Sequence, residues 1–138
     1  MGCDIHVYLE RRWNGQWVGL TNPTHHDHVT DRNYKRFSLL SDVRSLAEFK
    51  GPDPKGLPDD VSPLCQMFHD DWGQDAHSAS WETLQDFVRI CLETEFDPEK
   101  VFLDPDDQRG KDPYHYYFGL FIDEINIENY RVVFWFDN

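Results

Sequence analysis

Two polar constellations in this chain carry residue types that do chemistry. The first lies in Met1-Gly2-Cys3-Asp4-Ile5-His6-Val7-Tyr8-Leu9-Glu10, where Ile5, Val7 and Leu9 alternate with Asp4, His6, Tyr8 and Glu10. A period of two predicts a strand with one apolar and one polar face. Asp4 and His6 then point the same way, about 6–7 Å apart along the strand. A carboxylate beside an imidazole can orient it, raise its pKa or share a divalent metal with it. The alternative is a solvated strand face.

The second constellation is His77-Ser78-Ala79-Ser80-Trp81. Ser80 is a good helix N-cap, and Trp81, Leu84, Phe87, Val88 and Cys91 form a helical stripe reaching about Glu95. His77 and Ser78 would then precede a helix start. An imidazole, two hydroxyls and free backbone donors suit a phosphate or oxyanion. The alternative is that Ser80 only caps and His77 only packs. Between the two constellations, Arg32-Asn33-Tyr34 opens a helical pattern running through Phe37, Leu40, Val43 and Arg44 to about Phe49. Arg32 and Asn33 at a helix start, with Arg44 beside the stripe, could neutralise an anion; Arg32 could equally pair with Asp31. His25-His26-Asp27-His28 could hold a transition metal, although a lone loop rarely completes such a site.

Together these residues predict acid–base chemistry on a phosphodiester or nucleotide. His6 and His77 would act as base and acid and Asp4 would orient His6. Arg32, Asn33, Arg44, Ser78 and Ser80 would hold the phosphate, and Tyr34 or Trp81 would stack on a base. The scheme needs no metal; a divalent ion at Asp4 and His6 is its variant. Cys3 as a nucleophile activated by His6 is weaker, because the alternation puts it on the opposite strand face.

The elements that must position these groups read as follows. Asn14-Gly15 between Trp13 and Trp17 marks a two-residue hairpin turn, giving a hairpin from about Cys3 to Gly19. Gly51 to Asp60, with three prolines and two glycines, predicts a long ordered loop or lid. Ser62-Pro63 opens a short helix or turn near Cys65, and Phe68 to Asp75 reads as loop. Phe96 to Lys111 is an acidic connection, with a short strand or turn near Val101-Phe102-Leu103. Asp112-Pro113 starts a helix reaching about Asn126, with a strand as the competing reading because Tyr, Phe and Ile dominate. Tyr130 to Asn138 is a strand apolar on both faces, hence central, with the first strand as its neighbour. The expected class is α+β: one domain over residues 1–138, an antiparallel sheet of the N-terminal hairpin plus the C-terminal strand, and helices packed on one face.

Composition narrows the partners. A formal net charge of −13 argues against broad duplex nucleic-acid binding but permits a small anionic ligand in a local arginine pocket. It also permits an acidic protein that masks a host factor. Aromatics at 15% supply stacking surfaces as well as core volume. Three cysteines with no zinc spacing suggest reduced thiols and a cytoplasmic setting. No secretory signal or membrane-length apolar run stands in the sequence.

Several segments resemble a family of small, mostly uncharacterised bacteriophage and bacterial proteins. They are Met1 to His6, Arg32 to Tyr34 with Val43-Arg44, Gly56-Leu57-Pro58 with Asp60-Val61-Ser62, His77 to Trp81, and Val132 to Asn138. The resemblance implies a phage accessory protein in the host cytoplasm. By analogy with other small phage proteins, it suggests anti-defence action on a nucleotide immune signal. Hydrolysis of a cyclic nucleotide and sequestration of the intact signal, the latter at a homo-oligomer interface, both fit.

Overall fold

The structure, a computed structural model, describes residues 2–20, 26–45, 50–102 and 112–138. Strands β1 (Asp4–Trp13), β2 (Gln16–Leu20), β3 (His77–Thr83) and β4 (Tyr130–Asp137) form one antiparallel sheet in the order β2-β1-β4-β3. Asn14 and Gly15 turn β1 into β2 at φ 53° and 75°. Two successive positive φ values match the right-handed twist of the hairpin. β4 is central, as its two apolar faces require, and Asp4 lies opposite Asp137 in the register with β1.

The two faces of β4 define two packed layers. Val132, Phe134 and Phe136 join Ile5, Val7 and Leu9 of β1 in the main core. Over them lie α1 (His26–Thr30), α2 (Tyr34–Ser41), α4 (Leu84–Glu93), α5 (Glu99–Phe102) and α6 (Pro113–Phe118), through Val29, Phe37, Phe87, Val101 and Tyr117. Val133 and Trp135 face the other way and are covered by Cys65 and Phe68 of α3 (Pro63–Trp72), with Tyr8 and Trp81 beside them. The class is α+β with an antiparallel sheet, but the helices do not keep to one face. A central strand that is apolar on both sides needs cover on both, and α3 provides the second layer.

Element limits depart from the sequence pattern where a cap intervenes. α2 stops at Ser41 because Asp42 takes φ 56° and returns its backbone N–H to the carbonyls of Phe37 and Ser38. The rest of the stripe predicted to Phe49 falls outside the described residues from 46 to 49. α6 is closed by Gly119 at φ 70°, well short of Asn126, while Asp112 is its N-cap as expected. Phe68 to Trp72 is helix rather than loop: Ser62 caps α3 by accepting from the Cys65 N–H, and Pro63 stands in the first turn. Glu99–Phe102 is a short helix where a strand or turn was expected. Gly51 to Asp60 holds no regular element, as its prolines require.

The largest departure concerns His77 to Trp81. These residues are strand, and the helix begins only at Leu84, capped by Thr83 accepting from the Asp86 N–H. Ser80 is no cap. Its hydroxyl accepts the Lys55 N–H at 3.1 Å and ties the 50–60 loop to β3. The helix start that would have offered backbone donors beside His77 is therefore six residues further on.

Candidate functional site

β1 and β4 run antiparallel, so one end of the sheet gathers the first residues of β1 and the last of β4. Asp4 and His6 share a face, as the alternation predicts, yet they do not pair with each other. His6 Nε2 bonds the Asp137 carboxylate, while Asp4 holds Arg32 at 2.7 Å through Nε and 3.3 Å through Nη2. The two carboxylates stand opposite one another in the ladder and each takes a different partner. The guanidinium holds the Asp4 carboxyl below its ordinary range. A Cβ on Gly2 would fall 2.0 Å from the Arg32 guanidinium, so glycine there leaves room for the arginine. Among the described residues, Nδ1 of His6 makes no hydrogen bond.

The His6 ring lies 4.2 Å from that of Trp72, the last residue of α3, and 6.4 Å from that of Trp135. His69, one turn earlier on α3, meets Trp135 edge-on at 5.1 Å. Its buried Nδ1 has no hydrogen-bond partner among the described residues; the Asp70 carboxylate lies 3.7 Å away. His69 and Trp72 were missed because Phe68 to Asp75 reads as loop. The signal that could have found them is the Ser62-Pro63 cap, followed by Cys65, Phe68, His69 and Trp72 at helical spacing.

His77 does not join His6. Residues opposed across an antiparallel ladder share a face. His77 opposes Phe136 and therefore faces the main core, whereas His6 opposes Trp135 on the α3 side. The His77 ring lies 6.2 Å from that of Phe136, its Nδ1 bonds the Ser78 hydroxyl at 3.0 Å, and its buried Nε2 has no hydrogen-bond partner among the described residues. Ser78 takes φ 57° at the bulge between His77 and Ser80. The two rings thus reach the same end of the sheet on opposite sides of it.

The remaining predicted residues divide. Arg32, Tyr34 and Arg44 come to the β1 start: the Tyr34 hydroxyl accepts the Cys3 N–H at 3.2 Å, and the Arg44 guanidinium lies 5.7 Å over the Tyr34 ring. Arg44 also borders the Cys3 thiol, offsetting part of the rise that burial imposes on its pKa. Cys3 is fully buried, which disfavours it as a nucleophile. Asn33 is structural: it caps α2 by accepting the Arg36 N–H at 3.0 Å and gives its amide to the Thr94 carbonyl at 2.7 Å. Trp81 lies towards the other end of the sheet, where it lines a cavity with Lys55 and Arg131.

No group of three or more metal-ligating side chains gathers among the described residues. His25 and the side chains of His26 and Asp27 lie outside what is described; His28 stacks on Tyr116 at 4.0 Å. Among the described residues no helix is long and apolar enough to cross a membrane. No protein-family model, curated protein or solved structure matches the chain.

Proposed function

We propose that the chain acts on a nucleotide or phosphodiester ligand laid over the β1–β4 end of the sheet, with His6 as its acid–base group. The observation that carries this reading is the His6–Asp137 pair: a carboxylate engages one ring nitrogen and leaves the other for a ligand, beside an exposed indole and a guanidinium. In this scheme Asp137 orients the imidazole, and His6 takes a proton from the attacking oxygen and returns one to the leaving oxygen. Trp72, at 37% exposure, offers a stacking face for a base. Arg32 reaches a phosphate oxygen by exchanging it for Asp4. The resemblance to phage accessory proteins supplies the setting, an immune signal of cyclic-nucleotide type in a host cytoplasm.

Sequestration without cleavage is the second reading. What favours it is the placement of His77 on the far face, which leaves His6 without the acid partner that hydrolysis would use.

A panel of cyclic and linear nucleotides, resolved by chromatography after incubation, separates the two. Cleavage predicts product from the unaltered chain and a loss of about 10²–10⁴ in rate for His6→Ala at unchanged circular dichroism. Asp137→Asn should fall between the two. Undiminished turnover in His6→Ala rejects the acid–base assignment. Ligand recovered intact from a denatured complex, with binding lost in Arg32→Ala, establishes sequestration instead.

A further inference from the structure

The cavity towards the opposite end of the sheet has a volume of about 560 Å³ and is lined by Lys55, Leu57, Pro58, Asp59, Asp60, Trp81 and Arg131. That volume suits a small organic ligand. We propose that this cavity binds an organic cation of the guanidinium or primary-amine class, stacked on the Trp81 indole in the place that the Lys55 ammonium now occupies.

Three features select a cation over an anion. First, Arg131 cannot serve as an anion hook. Its Nε donates to Glu10 at 2.5 Å, Nη1 to the Asp60 carboxylate at 2.7 Å and Nη2 to the Asp60 carbonyl at 3.1 Å. The Trp17 ring lies 4.1 Å from its guanidinium carbon. The role left to Arg131 is to fix Asp60. Second, the indole already holds a positive charge. Lys55 Nζ lies 4.5 Å from the Trp81 ring centre, anchored by the Trp81 carbonyl at 2.8 Å and Glu82 at 3.3 Å. Cation–π attraction is strongest on tryptophan, and a lysine on its flexible stem can leave. Third, the local charge is negative. Lys55 and Arg131 face four carboxylates, those of Glu10, Asp59, Asp60 and Glu82. A phosphate brought here meets that excess, and a cation gains from it. Leu57 and Pro58 would cover the ligand's aliphatic part.

Agmatine, which carries both groups, is the probe, and AMP is the anionic control. Calorimetric titration of the full chain at low salt should show agmatine binding, with an affinity unchanged when AMP is present, since any nucleotide would sit at the β1–β4 end and not in this cavity. Lys55→Met removes the resident ammonium from an exposed stem and should tighten agmatine binding several-fold. Trp81→Leu, checked by circular dichroism, should weaken it about tenfold. His6→Ala should leave it unchanged, so this site and the β1–β4 end fail or stand separately. The proposal is overturned if neither the unaltered chain nor Lys55→Met binds agmatine, if Lys55→Met weakens binding, or if AMP displaces agmatine.

Discussion

At the scale of single residues, the buried charges are the least forgiving part of the molecule. Glu10 is fully buried and Arg131 is 5% exposed, and each satisfies the other, with Glu10 also accepting the Ser62 N–H at 2.7 Å. Arg131→Met strands a carboxylate in the interior and should cost about 3–5 kcal/mol. Replacing both, as Arg131→Met with Glu10→Met, should recover much of that loss. Denaturant titration of the three proteins checks the prediction; a single variant as stable as the unaltered chain contradicts it. The same scale shows what a sequence can and cannot tell about a site. Alternation along β1 placed Asp4 and His6 on one face. Pairing of the first and last strands brings Asp137 or Arg131 towards them depending on the register, and nothing local in the sequence fixes that register or turns Arg32 from Asp31 to Asp4.

At the scale of elements, turns and caps were legible where their chemistry is local. Asn14-Gly15, Ser62-Pro63, Asp112-Pro113 and the apolar β4 all stand where the sequence puts them. The mistaken start of α4 had a physical cause. Ser80 and Thr83 are both capable caps three residues apart, and only pairing of residues 77–83 with β4 decides between them. Gly51 is positioned just as tightly. Gly51 donates its N–H to the Asp42 carboxylate at 3.0 Å, and a Cβ there would lie 1.6 Å from the Ser38 carbonyl oxygen. Backbone cannot yield as a side chain tip does. Gly51→Ala should therefore destabilise by about 1–3 kcal/mol or more, read as a lower Tm. Gly56→Ala, at φ 80° but with open space around it, should cost about 1–2 kcal/mol through backbone strain alone.

At the scale of the whole molecule, ionisation sets the range of pH over which the fold holds. Asp4, Asp60 and Asp42 are all held below the ordinary carboxylate value of 3.8, by Arg32, by Arg131, and by Ser45 with the Gly51 N–H respectively. A depressed folded value gives stability that is present above the unfolded value and lost as pH falls through the folded one. Stability should accordingly decline below about pH 4. At the other limit, burial pushes the Cys65 and Cys91 thiols from 9.0 up to about 12. Their folded forms keep a proton that the unfolded chain releases, so stability should fall as pH rises from 9 towards 12. Denaturation midpoints measured from pH 3 to 11 should trace both declines. A profile that is flat above pH 9, or unaltered there by Cys91→Ala, contradicts the thiol assignment. Fold class and the central strand were legible at this scale. The second layer was not, because the sequence pattern carried α3 only to about Cys65 and its second half, Phe68 to Trp72, reads as loop.

The position of β4 between β1 and β3 also bears on how the chain finds its shape. β1 is synthesised long before β4, so Ile5, Val7 and Leu9 are ready to bury while their partner on that side arrives only at Tyr130. Until then the hairpin has an open, adhesive edge. Closing so long a loop slows the search for the native state, even though it adds little to the equilibrium cost. Because Asp4 and Asp137 are direct neighbours in the ladder, a short linker from Asn138 to Gly2 would turn the two strands into a hairpin. With new ends opened at the exposed Phe96, such a permutant should refold faster in stopped-flow measurements and aggregate less during renaturation.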